Sequence, residues 1–365
     1  MHIVQALASL SVGGSELVVT ELCEYLGAAG HQVTVLGSGG PLEARVKASG
    51  AGRLDWPVGR KRLSTLRYVR RLSDWLAREK PDVVHAHSRL PAWICWRAIR
   101  RLDPDLRPAF VTSMHGQYTV SPYSAVMARG DRVIAVSEHM RDYALANYAA
   151  ADPDRLVVIH GGTSRQAFPH GYRPDPEWYE SAWREFPELK GKRLLLLPGR
   201  LSRYKGHSIF LDLLRALARD YPDVHGVILG QNRTGSRYRA ELEGLAHRNH
   251  LLERLTFTGL REDIRDWMAA SSIVYNLCSD PPEAFGRTVP EALHLGIPVI
   301  AWDHGGTGET LHGMFPAGAV KPDSLAALLA RTREFLDAPP QVPESQAFLL
   351  EASMQKTLSL YLELL

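Results

Sequence analysis

The chain has 365 residues, 45% apolar and 23% charged, with 43 Lys+Arg against 40 Asp+Glu. That balance excludes a disordered polymer, and the length predicts two domains. No apolar run reaches the roughly eighteen residues a transmembrane helix needs. The start, "MHIVQALASLSVGGSE", lacks a basic segment and turns polar early, so it is expected to be a strand and a glycine loop rather than a signal peptide.

In chain order, "HIVQALA" (2–8), "QVTVLG" (32–37), "DVVHAH" (82–87), "AFVTSMH" (109–115), "DRVIAVS" (131–137) and "RLVVIH" (155–160) have the apolar, β-branched character of strands. Helical patterns at 15–29, 64–79, 89–101 and 138–149 separate them, which predicts a parallel sheet covered by helices. Residues 166–192, rich in Pro and aromatics, are expected to join the domains. The alternation then restarts with strands at 193–199, 224–230, 254–259 and 272–277 and helices at 206–220, 236–249 and 263–270. An amphipathic helix is expected over 345–365. The fold class expected is α/β, with two Rossmann-like domains whose ligands sit beyond the carboxyl ends of the strands, at a cleft.

Charge is unevenly placed: residues 1–165 hold 21 basic and 15 acidic groups. Within 53–80 the count is nine to three. Arg60, Lys61, Arg62, Arg67, Arg70 and Arg71 cluster there, with Trp56, Tyr68 and Trp75 interleaved. The segment is expected to face an anionic membrane surface or a phosphorylated acceptor. Nucleic acid is not expected, since the acidic second half would flank any long polyanion.

Three loops carry candidate chemistry. "SLSVGGSE" (9–16) places Gly13 and Gly14 before a helix, where a close backbone approach suits a phosphate or a sugar ring, or simply a tight turn. "GRLSRYKGH" (199–207) sets Gly199, Arg200 and Lys205 at a strand end, where two cations can clamp a diphosphate or merely be solvated. "EAFGRTVPEALHLGIPVIA" (283–301) holds Glu283 and Glu291. On one helix they would stand roughly 80° apart. Pro290 fits only a first helical turn, so the stretch divides into loop, helix and buried strand. The two acids either grip a ligand or are helix-start acids favoured by the dipole. His85, His87 and His115 end strands without a spacing for metal, and "DPD" at 103–105 and 152–154 reads as turn chemistry. The three cysteines, Cys23, Cys95 and Cys278, are expected to be buried and reduced.

Together the three loops resemble the retaining glycosyltransferases of family 4, which have the GT-B fold. The E-x7-E element is Glu283 and Glu291, the Arg-x4-Lys element is Arg200 and Lys205, and the glycine loop is "VGGSE". "VIAVSEHM" (133–140) and "MQKTLSLY" (354–361) fit the same pattern. "FPHGYRPDPEW" and "SMHG" look most like the branch that builds bacterial lipopolysaccharide and related surface glycans. One departure is "VIHGGTS" (158–164), where Gly161 and Ser164 replace the usual polar residues.

The resemblance implies that Glu283 contacts donor-sugar hydroxyls, Glu291 binds the ribose, and backbone N–H groups of Gly286, Arg287, Thr288 and Val289 face the diphosphate. It also implies that His115 lines the donor-sugar pocket. The domains expected are 1–165 for the acceptor, with helix 345–365 returning onto it, and 193–344 for the nucleotide sugar. The function expected is retaining hexosyl transfer from a nucleotide diphosphate sugar to a lipopolysaccharide-core or related acceptor. UDP-hexose is the first choice of donor, ahead of GDP-mannose and ADP-heptose. No metal or cofactor is expected, and the enzyme is expected to be cytoplasmic and peripheral to the inner membrane. The alternatives are an epimerase or hydrolase of the same fold, or an inactive sugar-nucleotide-binding partner subunit.

Overall fold

The computed structural model describes residues 1–232 and 236–365. The chain forms two compact units, residues 1–161 with 351–365, and residues 162–350.

The first unit is built on a parallel sheet of β1 (His2–Ser9), β2 (Gln32–Ser38), β3 (Gly52–Leu54), β4 (Val83–Ala86), β5 (Ala109–Met114), β6 (Arg132–Ala135) and β7 (Leu156–Val158). The strand order is β3-β2-β1-β4-β5-β6-β7. Connecting helices are α1 (Gly14–Ala28), α2 (Glu43–Ala48), α3 (Arg67–Glu79), α4 (Arg89–Ile99) and α5 (Glu138–Asn147). Buried apolar runs explain the strands: Val83, Val84, Val111 and Val133 have no exposed surface. α5 starts where the Ser137 hydroxyl accepts from the Met140 N–H at 3.1 Å.

The second unit opens with α6 (Pro176–Glu185), followed by β8 (Arg193–Pro198), α7 (His207–Leu217), β9 (Val224–Leu229) and α8 (Tyr238–Arg248). After these come β10 (Leu255–Gly259), α9 (Ile264–Ala269), β11 (Ile273–Asn276), α10 (Thr288–His294) and β12 (Val299–Trp302). α11 (Gly305–Met314), β13 (Ala319–Val320) and α12 (Leu325–Asp337) complete it. Its sheet, ordered β10-β9-β8-β11-β12-β13, repeats the wiring of the first.

In both sheets the chain reverses direction beside the first strand of the unit, between β1 and β4 and between β8 and β11. Loops leaving the carboxyl ends of such a pair diverge and open a crevice for ligand. The loops of interest leave β1, β8 and β11.

Residues 166–192, expected to run between the units, belong to the second. Pro176 opens α6 at its first turn, and Trp178, Trp183 and Phe186 pack on the second unit's core. Trp178 meets Trp267 edge-on at 5.3 Å and donates to Asp263 at 2.7 Å. The last helix, α13 (Leu350–Leu362), lies almost wholly in the first unit, with Tyr361 fully buried.

Candidate active site

β8, β11 and β12 are adjacent strands, and their carboxyl-end loops assemble the acids and bases named above. After β8 the chain makes a 3-10 turn over Arg203–Lys205 and reverses at Gly206, where φ is 76°. A Cβ on Gly206 would stand 2.2 Å from the Leu277 carbonyl, so only glycine lets this loop lie against the end of β11. The Ser279 N–H donates to the Tyr204 carbonyl at 3.0 Å, tying the two loops together. Lys205 Nζ thereby forms an ion pair with Glu283 Oε1. Their side chains are 22% and 20% exposed.

The loop carrying Glu283 is pinned in turn by the start of α11. The Glu283 carbonyl accepts from the Gly306 N–H at 2.9 Å, and His304 Nε2 donates to the Cys278 carbonyl at 2.9 Å. Gly286, at φ 81°, has no room for a side chain, because a Cβ there would meet Thr307 at 2.6 Å. Glu291 is buried inside α10, with Arg287 Nε 3.4 Å from its Oε1. Asn276 Nδ2 donates to the Thr288 hydroxyl at 3.3 Å. Burial alone would lower the Lys205 pKa. The Glu283 carboxylate, with smaller contributions from Cys278 and Tyr204, overrides it and holds the ammonium above its usual range. Lys205 is therefore a fixed cation at neutral pH.

The structure thus brings Lys205, Glu283, Gly286, Arg287, Thr288 and Glu291 together on adjoining loops. Arg200 is exposed at the end of β8, beside Gly199, and its side chain has no ion-pair partner among the described residues. One expectation is corrected. The Val289 N–H donates to the Gly286 carbonyl at 2.9 Å, so it is committed within the turn and does not face a ligand. Sequence reasoning also missed Asn276 and His304, polar residues that give no signal until the loops are folded together.

Gly13, Gly14 and His115 lie in the first unit. Gly13 caps α1 in an extended conformation. The Glu16 carboxylate fills the space beside it, accepting from the hydroxyls of Ser11 at 3.2 Å and Ser15 at 2.8 Å. An acid at that helix start suits hydroxyl groups better than the phosphate weighed from the sequence. His115 Nε2 lies 2.9 Å from His87 Nδ1, and burial lowers its pKa to about 4. Among the described residues, no group of three or more His, Cys, Asp or Glu side chains is arranged to hold a metal.

The basic segment is also redrawn. Arg60, Lys61, Arg62, Arg67, Arg70 and Arg71 are all exposed. Trp56 and Tyr68, interleaved with these cations in a segment expected to face a membrane surface or an acceptor, are buried and stacked with ring centroids 5.8 Å apart. Arg71 covers Trp56 at 4.3 Å and Arg67 covers Tyr68 at 5.1 Å. The exposed apolar groups are instead Leu63 (88%) and Leu66 (54%), in the 3-10 turn before α3. Among the described residues, no helix is long and apolar enough to cross a membrane.

Two domain families account for most of the chain: Glycosyltransferase Family 4 matches residues 12–166 and Glycosyl transferases group 1 matches residues 180–348. The chain belongs to the family 4 glycosyltransferases of the GT-B fold, and it is a glycosyltransferase. It is 25% identical over 345 residues to the lipopolysaccharide core biosynthesis mannosyltransferase LpsB of Rhizobium meliloti, covering 92% of this chain and 87% of that one. It is 28% identical over 298 residues to the D-inositol 3-phosphate glycosyltransferase of Streptomyces coelicolor, covering 72% of this chain but only 63% of that relative. The structure of Anabaena HepE in complex with UDP and glucose superposes with a TM-score of 0.81 at 21% identity, over 98% of each chain.

Proposed function

We propose that the enzyme transfers a hexose from a nucleotide diphosphate sugar, UDP-hexose first, with retention of configuration, to a lipopolysaccharide-core or related surface-glycan acceptor. The observation that carries this reading is the Lys205–Glu283 pair, set between the loops of β8 and β11 and next to Gly286. A cation and a carboxylate at one point serve a ligand with a diphosphate next to hydroxyls. The UDP and glucose bound by HepE and the acceptor class in the name of LpsB support the choice of donor and acceptor.

In this mechanism Lys205 and Arg200 neutralise the charge that grows on the departing diphosphate, which lowers the barrier most where water is excluded. Glu283 holds a sugar hydroxyl and Glu291 the ribose. The acceptor oxygen attacks C1 on the face the phosphate leaves, the C1–O bond breaks, and the acceptor proton passes to the departing phosphate oxygen.

Incubation with labelled UDP-hexose, with and without acceptor and with EDTA, tests the reading. Fast turnover that requires acceptor and survives chelation is expected, because protein cations meet the diphosphate charge. Acceptor-independent release would indicate a hydrolase or epimerase. Complete loss in EDTA restored by Mg²⁺ or Mn²⁺ would contradict metal independence.

The acceptor side of the proposal places the first unit on an anionic membrane surface through the six cations of 60–71, with Leu63 and Leu66 entering the interface. Each cation near such a surface contributes about 1 kcal/mol. Binding to anionic vesicles, weakened by salt and by the Leu63→Ser/Leu66→Ser double variant, is expected in co-sedimentation. Equal binding to neutral and anionic vesicles, or none at low salt, would remove the membrane and leave a phosphorylated acceptor as the partner.

A further inference from the structure

The first unit holds a basic cavity at the amino ends of its strands, the end of the sheet away from the loops that leave their carboxyl ends. Its lining comes from three segments that each lead into a strand. Arg100 closes α4 ahead of β5, Arg129 follows a 3-10 turn (Ser124–Ala128) ahead of β6, and Asp152 and Arg155 come just before β7. The cavity measures about 430 Å³, within the roughly 300–1,000 Å³ typical of small-molecule sites. Ala128 and residues 149–151, all alanine, leave that space because their side chains are single methyl groups. Trp96 supplies an aromatic wall, held edge-on against Trp93 at 5.4 Å.

The lining carries three guanidiniums against one carboxylate. Arg155 Nε lies 3.3 Å from Asp152 Oδ2. The turn at "DPD" (152–154) sets that pair: the Asp154 N–H donates to Asp152 Oδ1 at 3.0 Å, and the Arg155 N–H to the Asp152 carbonyl at 3.1 Å. Arg100 and Arg129 have no such partner. Each guanidinium carbon lies 4.9 Å from the Trp96 ring centroid, and among the described residues neither side chain makes a hydrogen bond or an ion pair. Cation–π attraction thus gathers two like charges at one indole and leaves their N–H donors unused. An anion placed against both would offset their repulsion and accept from both.

We propose that this cavity binds a phosphate monoester of a small organic molecule, at a site separate from the one that carries out transfer. A dianionic phosphate matches the two uncompensated positive charges, and its three terminal oxygens can accept from Arg100, Arg129 and Arg155 at once, which the two oxygens of a carboxylate cannot. The organic part stands against Trp96 and the alanines, in volume that a bare phosphate leaves empty. The ester is soluble rather than part of a lipid: the six cations proposed to meet a membrane follow β3, on the carboxyl-end side of the sheet, away from this cavity. All lining residues belong to the first unit, so the site does not depend on the donor or acceptor proposed above.

Isothermal titration of the full-length enzyme with glucose 6-phosphate, with and without saturating UDP, tests the site. Saturable binding is expected, with the same affinity whether or not UDP is bound. Arg100→Ala and Arg129→Ala should each weaken it about 10- to 100-fold. Ala150→Glu, which brings a carboxylate into the cavity, should abolish it, and UDP affinity should be unchanged in all three variants. Arg219→Ala, at an exposed arginine of the second unit, is the control and should change nothing. No saturable binding, competition with UDP, an equal loss in the control, or inorganic phosphate bound as tightly as the ester would overturn the proposal. Phosphatidic acid vesicles held through Arg100 and Arg129 would overturn the soluble ligand.

Discussion

Glu283→Ala is expected to lower kcat by about 10²- to 10³-fold while UDP affinity stays the same or rises, because the charged hydrogen bond proposed to the reacting sugar is worth about 3–4 kcal/mol. The geometry dictates the split. Glu283 is the partner of the Lys205 ammonium, and its loop is fixed through the Gly306 N–H rather than through its carboxylate. Removing the carboxylate leaves the loop in place and releases Lys205 to the diphosphate, so ground-state nucleotide binding does not suffer. Glu283→Gln, which keeps a hydrogen-bond acceptor for the sugar but loses the ion pair, should fall between wild type and alanine in kcat. Steady-state kinetics with UDP titrations checks both; a near-normal kcat in the alanine variant would sink the role given to Glu283.

Lys205→Ala should weaken UDP binding by about 10- to 100-fold, the cost of one charge-assisted contact to phosphate, and Arg200→Ala by less. The difference follows from position. Lys205 is largely buried and held as a cation by Glu283, whereas Arg200 is exposed and must give up side-chain freedom to reach the ligand. If both cations serve one diphosphate, as proposed, the double variant should lose less than the two single losses combined. Losses that simply add would mean that the two side chains do not share a ligand, and no loss at all would make the turn after β8 a solvated loop.

The strands were the most legible part of the sequence, because a parallel strand covered on both faces must be apolar throughout, as "RLLLLP" in β8 is. The acids and bases of the second unit could be named only through the family resemblance: Lys205 and Glu283 stand 78 residues apart, and each loop taken alone also fits a solvated turn or a helix start. α6 was not legible, since its apolar positions are mostly Trp and Tyr among prolines, and that composition resembles a linker until the rings meet Trp267. The basic segment misled in detail, because an aromatic flanked by arginines looks the same whether it faces lipid or lies beneath the guanidinium groups, as Trp56 does. The buried hydrogen bond from Gln5 to Tyr361 was out of reach altogether. The two are 356 residues apart, and a lone glutamine in an apolar strand names no partner.

The anomeric configuration of the product is the most direct test of the account. In the proposed mechanism no base activates the acceptor from behind the sugar, and the leaving phosphate itself takes the acceptor proton. Proton NMR of the glycan formed from a UDP-α-hexose should therefore show an α linkage from the first turnovers onward. A β linkage would contradict front-side transfer, and with it the roles given to Lys205 and Glu283.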